Sequence, residues 1–412
     1  MKKLLFPNGI YTVLRPLYFL CKVFGLASYS YVADRRNKRV TADYGYLNCM
    51  FTVIWLIVYT VGFSLQILDT DSFEASSKTS FIVYVLYTLS SYISSIMLLV
   101  WVSVIKRRRF LEIIDKISEV DNKIRYTQQE ETFMNRNVFF NIISEVTLLT
   151  AIQFILIIQY IYLLNSEGYF SIISLLIGVI AKYICNTLFL FQYLNLVLML
   201  KQRYSHLNKG LTKWISGAVS WAIYFNKENE ICCLSNMDVN HGILTPFRVS
   251  SVGNIERQLK ETDIHSLRQI YGELYDIIRL INDTYGFPIL ATMCWILTNV
   301  LCCLYEILVY FNEWGVTDTA HVITCSALVF KVALFCHTAT NEARSLNIFV
   351  QKLLLLANCR NECVKELKLF SLQLQVMTIE YTACGFFSLN LKFFTTVVSF
   401  IVSYIIIIIQ LK

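Results

Sequence analysis

The final stretch of the chain, Asn390–Leu411, has the sequence NLKFFTTVVSFIVSYIIIIIQL. Its only charged residue is Lys392. An α-helix rises about 1.5 Å per residue, so a stretch of this length can cross the roughly 30 Å hydrocarbon core of a bilayer. The stretch therefore predicts a membrane-spanning helix.

The rest of the chain contains six more stretches of this kind. Mean hydropathy is +0.53, and 56% of the residues are apolar while 16% are charged. A soluble domain carries about 25% charged residues. The sequence thus predicts an all-α membrane protein with seven transmembrane helices, at Tyr46–Leu68, Phe81–Ile105, Val138–Leu164, Phe170–Leu200, Phe287–Phe311, His321–Ala339 and Asn390–Leu411.

Basic residues are distributed unevenly between the loops. Of 36 Lys and Arg residues, 31 precede the first span or lie between spans two and three, four and five, or six and seven. Cytoplasmic loops carry such an excess. We therefore expect a multi-pass plasma-membrane protein with a cytoplasmic N-terminus and an extracellular C-terminus, which argues against a G-protein-coupled receptor. The same asymmetry explains the net charge of +7, so no nucleic-acid partner is expected.

The predicted spans divide the chain into four regions. Residues 1–44 form a cytoplasmic N-terminal segment, and 45–339 contain spans one to six with a long cytoplasmic segment at 201–286. Residues 340–389 form cytoplasmic helices, and 390–412 form the seventh helix.

Two apolar stripes with helical spacing lie in the cytoplasmic segments. The first runs towards span five and comprises Leu267, Ile270, Leu274, Ile277, Ile281 and Tyr285. Gly286 and Pro288 then predict a kink. The second stripe comprises Cys363, Leu367, Phe370, Leu374, Met377 and Tyr381. This second helix is expected to pack either on its own chain or on another subunit.

Motifs for catalysis are missing from the sequence. It contains no phosphate-binding loop, dinucleotide fingerprint, metalloprotease helix or nucleophile elbow. The cysteine pairs Cys232–Cys233 and Cys359/Cys363 have no second matching pair or nearby histidines, as a zinc site would need. We expect no enzymatic activity, no cofactor and no metal site.

The last predicted span has one mostly polar face. Steps of three and four residues connect Thr396, Ser399, Ser403, Ile407 and Gln410. In a membrane, such a stripe either bonds to neighbouring groups or lines water. One helix cannot enclose a pore, so a pore implies several subunits around a symmetry axis. The alternative is that the hydroxyls only satisfy backbone carbonyls and pack helices.

The end of the chain resembles the hallmark of insect gustatory receptors, which is Thr-Tyr, five hydrophobic residues and Gln-Phe. Ser403 replaces the threonine and Leu411 replaces the phenylalanine. The last three residues are also similar to those of the related odorant receptor co-receptor. The resemblance covers nearly the whole chain, with further matches at Arg15–Leu17, Phe24–Leu26, Tyr271–Gly286 and Thr382–Phe387.

This resemblance implies a ligand-gated, non-selective cation channel that acts as a homo- or heterotetramer. The last helix would form the central pore, and residues 340–389 would belong to an anchor domain that joins the subunits. Gln410 and Ile407 fall at pore positions, and Leu411 takes the place of an aromatic that narrows the mouth. The implied partners are a small-molecule tastant, such as a sugar or bitter compound, permeating cations, the lipid bilayer and identical or related subunits.

Two other functions stay open at this point. An odorant receptor or co-receptor subunit would have the same architecture. A secondary transporter is the alternative from another class, although no internal repeat of the kind found in transporters is visible.

A tastant pocket is expected in the outer half of the spans. Candidate ligand contacts are the polar and aromatic residues near the predicted outer ends, with Glu306 preferred: Tyr84, Tyr87, Ser91, Gln159, Tyr160, Tyr305, Glu306, Tyr310, His321 and Thr324. Glu145, Lys182 and Lys331 are predicted buried charges, which are costly in a bilayer unless they are paired. We expect Glu145 to neutralise one of the two lysines.

Overall fold

The structure of the chain is a computed structural model. It describes residues 10–34, 39–43, 46–68, 78–124, 126–163, 181–235, 261–309, 315–356 and 362–411. Four short strands form two antiparallel hairpins, β1 (Ser30–Asp34) with β2 (Arg39–Asp43) and β3 (Thr382–Ala383) with β4 (Phe387–Ser388).

Helices make up most of the described residues. Ten α-helices are present there: α1 Ile10–Val23, α2 Tyr46–Leu68, α3 Lys78–Val100, α4 Arg109–Lys123, α5 Gln128–Leu163, α6 Ala181–Ser235, α7 Glu261–Val309, α8 Gly315–Leu356, α9 Glu362–Val376 and α10 Leu391–Leu411. Helix α3 continues into a π-helical turn at Trp101–Ile105.

The predicted fold class is confirmed. Among the described residues, six helices are long and apolar enough to cross a membrane, and they cover Phe81–Ile105, Gln129–Ile155, Tyr183–Ser216, Asp263–Leu308, Asp318–Leu355 and Leu391–Gln410. Helix α2 has the predicted bounds of the first span and 23 residues, about 34 Å at 1.5 Å per residue. The predicted span at Phe170–Leu200 is described only from Ala181 onwards.

Several helices extend far beyond their predicted spans. Helix α7 starts at Glu261, so the apolar stripe that begins at Leu267 continues without interruption into span five. Pro288 lies inside this helix and does not end it. The hydrophobic stretches therefore predicted where the apolar parts of the helices lie. The helices themselves continue beyond these stretches, and α7 with its 49 residues is longer than a bilayer is thick.

The chain falls into two compact units. The first comprises Met1–Met199, Ile277–His337 and Glu380–Lys412, and the second comprises Leu200–Asp276 and Thr338–Ile379. Helix α6 forms much of the core of the first unit, since nearly every side chain from Tyr183 to Met199 is buried. Phe189 stacks on Tyr285 of α7, with ring centroids 5.6 Å apart.

The core of the second unit contains the predicted stripes. Leu267, Ile270 and Leu274 of α7 are buried, and so are their counterparts Leu367, Phe370 and Leu374 of α9. Arg268 pairs with Glu366 at 3.1 Å, and the Tyr271 hydroxyl donates to the Met377 carbonyl at 2.8 Å. The second stripe therefore packs within its own chain from Leu367 to Leu374, and its last member, Tyr381, is also buried.

Helix α9 also has a second apolar face. Leu369, Leu372 and Val376 are 46%, 58% and 81% exposed, at spacings of three and four residues. These three residues share one side of the helix. Within the part of the chain that the structure describes, only one of the two apolar faces of α9 is covered.

Candidate pore helix and ligand site

The predicted polar stripe lies on the exposed side of α10. Thr396, Ser399, Ser403, Ile407 and Gln410 are all exposed. Ile408 is the buried residue of this helix, with 8% exposure, and at about 100° per residue it lies about 140° around the helix from Ser403. The side chain of Leu411 is outside the described residues.

The hydroxyl groups of the stripe bond to their own helix. Thr396 donates to the Lys392 carbonyl at 2.9 Å, and Ser399 donates to the Thr395 carbonyl at 3.0 Å. Ser403 donates to Ser399 in the same way, also at 3.0 Å. A hydroxyl has one hydrogen and two acceptor lone pairs. Because the hydrogens point to the backbone, these oxygens offer acceptors to whatever faces the stripe.

Helix α10 differs from the other candidate spans in burial. Between Leu391 and Gln410 only the Ile408 side chain is buried, whereas nearly every side chain of α6 from Tyr183 to Leu200 is. The exposed side chains between Val398 and Gln410 include Phe400, Val402, Ile406 and Ile409 as well as the polar stripe. A single copy of the chain thus leaves most of α10 uncovered.

A short hairpin leads into α10 and lies against α7. The Asn282 side chain donates to the Glu380 carbonyl at 2.8 Å and accepts from the Thr382 amide at 3.2 Å. At Gly286, a Cβ atom would lie 2.8 Å from the Cys384 nitrogen. Only a glycine allows so close an approach between the two backbones.

Four rings from four helices form an aromatic cluster: Tyr87 of α3, Tyr183 of α6, Trp295 of α7 and His321 of α8. The Tyr183 ring lies 5.5 Å from His321 and 5.9 Å from Trp295, measured between centroids. Tyr87 meets His321 edge-on at 6.4 Å. The cluster therefore brings together two of the predicted ligand residues, Tyr87 and His321. Tyr183 and Trp295 were not predicted, because nothing in the sequence distinguishes them from the other aromatic residues of the spans.

Polar groups surround the aromatic cluster. The Trp295 indole nitrogen donates to the Ser91 hydroxyl at 3.0 Å, so a third predicted ligand residue belongs here. One turn further along α3, the Ser94 hydroxyl donates to the Asn186 side-chain oxygen at 2.7 Å. The cluster thus combines aromatic faces with a few directed hydrogen bonds, as small-molecule sites do.

No contact with the aromatic cluster is described for the remaining predicted ligand residues. Glu306 is half-buried on α7, about 16 Å from Trp295 along the helix axis. Tyr305 and Thr324 are also half-buried, and the Thr324 hydroxyl donates to the Ala320 carbonyl at 2.7 Å. Four candidates have no described side chain: Tyr84, Gln159, Tyr160 and Tyr310.

A buried ion pair connects α5 with α8. The Lys331 ammonium lies 2.7 Å from the Glu145 carboxylate, whose side chain is 2% exposed. Asn195 of α6 donates to the same carboxylate at 2.7 Å. Lys331 also lies 5.5 Å from the centroids of the Phe191 and Phe335 rings. Of the two lysines considered for Glu145, this one forms the pair, and the side chain of Lys182 is outside the described residues.

Comparison with known proteins identifies the family of the chain. A model of the 7tm chemosensory receptor family matches residues 14–412. No curated protein matches the chain.

Solved structures with a similar fold include an insect olfactory receptor. The chain is similar to the olfactory receptor OR5 of Machilis hrabei in complex with eugenol, with a TM-score of 0.70 and 10% sequence identity over 97% of this chain and 98% of that one. The same receptor described without eugenol gives a TM-score of 0.65 at the same identity and coverage. At this identity the likeness shows the fold.

Proposed function

The chain belongs to the 7tm chemosensory receptor family, and we propose that it is a gustatory receptor, a subunit of a tastant-gated, non-selective cation channel. Members of this family are receptors and not enzymes, in agreement with the sequence. The proposed subunit is embedded in the plasma membrane with its N-terminus in the cytoplasm. Four identical or related copies surround one pore, and residues 390–412 of each copy line it.

The exposure of α10 carries this proposal. Lipid can cover the apolar part of a span that one chain leaves exposed, but the polar stripe near the middle of the exposed side of α10 favours further copies around it. The exposed face of α9 with Leu369, Leu372 and Val376 gives residues 340–389 a surface for the same association. Both features support several copies around one axis.

The stripe is suited to cations. Its hydroxyl oxygens present lone pairs because their hydrogens are bonded to the backbone, and lone pairs attract cations and not anions. Fixed charge is missing from the stripe, so weak selectivity among cations follows. In the proposed orientation, the outer segments also carry six acidic residues, Asp69, Asp71, Glu74, Glu167, Glu313 and Asp318, against the two basic residues Lys78 and Lys412. Such an excess raises the local cation concentration at the entrance.

Ile407 is proposed as the closing ring of the pore. It is the apolar member of the stripe between Ser403 and Gln410, and it is 52% exposed. A ring of isoleucines in a narrow pore expels water and stops ions. Gln410 would then offer its amide to hydrated ions outside this ring, and Leu411 would stand at the mouth.

The aromatic cluster is proposed to contact the tastant. Tyr87, Ser91 and His321 take part in it together with Tyr183 and Trp295, and Glu306 is proposed to approach the ligand from the end of α7. The tastant would be a small molecule with an apolar or aromatic part. Odorant reception is the second candidate, because a receptor of similar fold is an olfactory receptor in complex with eugenol.

Current recordings from oocytes that express the chain test the proposal. A panel of sugars, bitter compounds, amines and volatile aromatics is applied, and we expect a cation current with at least one of them. The chemical class of the agonist separates taste from odour. Substrate uptake without current would favour a transporter and contradict the proposal.

Matched isoleucines test the pore assignment. We expect Ile407→Ala to raise the resting current, because the smaller side chain lets water into the closed pore. Ile405→Ala is the control, since Ile405 is half-buried and lies about 160° around the helix from Ser403. Gln410→Ala is expected to change permeation or block. Unaltered currents in both Ile407→Ala and Gln410→Ala would remove α10 from the pore.

A further inference from the structure

An apolar cavity lies beside the N-terminal half of α10, away from the aromatic cluster. This cavity has a volume of about 120 Å³ and lies between α7, α8, α10 and the hairpin strand β4. Helix α10 contributes Phe393, Phe394, Val397, Val398 and Ile401. None of the four rings of the aromatic cluster lines it.

The chemistry of the walls excludes water. Ser326 of α8 is the one residue of the lining with a hydroxyl, and every other lining side chain is hydrocarbon, aromatic or sulfur-containing. A buried water needs two to four polar partners. Apolar cavities stay dry, and one of about 150 Å³ in another protein binds benzene. The cavity beside α10 therefore has the size and the lining for one small ring.

Aromatic contacts hold the cavity open. The Phe387 and Phe393 rings are parallel, with 4.4 Å between centroids and 2° between planes. Phe394 packs edge-on against Phe330 of α8 at 5.1 Å. Collapse of the space would require these ring pairs to separate, and such pairs attract each other beyond the effect of their buried area.

The rim of the cavity is open on the side of α7 and α10. Cys294 is exposed, and Val398 is 41% exposed. Both residues lie within candidate membrane spans. Both also lie within the predicted spans Phe287–Phe311 and Asn390–Leu411, so we expect the opening at the depth of the hydrocarbon layer, which itself concentrates small apolar molecules.

We propose that this cavity binds a small apolar molecule, about the size of one aromatic ring, that enters from the bilayer. The volume, the apolar lining and the opening at Cys294 together define this ligand class. Since five residues of α10 form one wall, occupancy is expected to alter the packing of that helix. An effect on current rests on the proposed function, whereas binding does not.

Protection of Cys294 from alkylation tests the binding. The purified full-length protein in lipid nanodiscs is treated with N-ethylmaleimide, with and without toluene, and the modified peptides are followed by mass spectrometry. Toluene at ten times its dissociation constant should slow alkylation of Cys294 about tenfold, because only the unoccupied fraction reacts. Cys363 on α9 is the internal reference and should react at an unchanged rate.

Filling the cavity provides the second arm. Val397→Phe, or Val300→Leu as a milder change, should abolish the protection while Cys294 still reacts. An equal rate of alkylation of Cys294 with and without saturating toluene would overturn the proposal. The proposal would also be overturned if Cys294 reacts only after the copies are separated or the lipid is removed. In that case a second copy or an acyl chain would already occupy the cavity. If the chain proves not to be a channel, toluene should still protect Cys294, so a failure of the proposed function can be distinguished from a failure of the proposed binding.

Discussion

Replacing Lys331 with methionine is expected to lower the free energy of unfolding by about 3 kcal/mol. The ammonium lies 2.7 Å from the Glu145 carboxylate, and the two side chains are 29% and 2% exposed. Removal of one partner leaves the other charge buried, which costs roughly 3 to 5 kcal/mol. The lower end applies here because the partial exposure of Lys331 weakens the pair.

Removing the other partner is expected to cost less. In Glu145→Gln, the new amide oxygen can still accept the hydrogen bond from Asn195, and Lys331 keeps its contacts with the Phe191 and Phe335 rings. A cation over a ring is worth about 1 kcal/mol. The double variant Glu145→Gln/Lys331→Met contains no uncompensated charge, so we expect it to be more stable than Lys331→Met alone.

Thermal unfolding of the purified protein measures these differences. At an unfolding entropy of about 2.1 cal/mol/K per residue, a loss of 3 kcal/mol in a chain of 412 residues lowers Tm by about 3.5 °C. Lys352→Met is the control at an exposed lysine, and its Tm should stay within about 1 °C of wild type. Wild-type stability of Lys331→Met, or a double variant as unstable as that single variant, would refute the reasoning.

Two further substitutions test close contacts. Gly286→Ala places a Cβ atom 2.8 Å from the Cys384 nitrogen and should destabilise the chain by about 1 to 3 kcal/mol in thermal unfolding. Gly210→Ala, with open space at the same position, should instead be neutral or stabilising by up to about 1 kcal/mol. Trp295→Phe removes the 3.0 Å hydrogen bond to Ser91, worth about 1 kcal/mol. Its half-maximal agonist concentration should rise severalfold in dose-response recordings, and an unchanged value would place the ligand elsewhere.

The sequence was sufficient for the spans because their signal is local. Hydrophobicity over about 20 residues determines whether a helix can lie in a bilayer, whatever its neighbours are. The stripe that starts at Leu267 was equally visible, since spacing of three and four residues predicts one apolar helical face. The bounds of α2 agree with the prediction for the same reason.

Contacts between helices needed the structure. The sequence suggested that Glu145 pairs with a lysine but offered both Lys182 and Lys331, because depth in the membrane does not tell which faces meet. Tyr183 and Trp295 stayed unnoticed for a related reason. An aromatic residue in a span has the same local pattern whether it faces lipid, core or ligand, and only the packing of four helices distinguishes these cases.

The hairpin before α10 shows how two separate sequence features become one structural element. The stretches Tyr271–Gly286 and Thr382–Phe387 both carried the resemblance to gustatory receptors, and the structure places the end of the first against the start of the second. Gly286 had been interpreted as part of a kink, yet its missing side chain makes room for the backbone at Cys384. That backbone has a positive φ of 52°, a conformation that costs about 1 kcal/mol or more in a residue other than glycine and persists only where its surroundings hold it. The close contact with α7 provides such surroundings. Because β4 ends only three residues before α10 begins, the contact between α7 and the Cys384 backbone fixes the chain close to the start of α10.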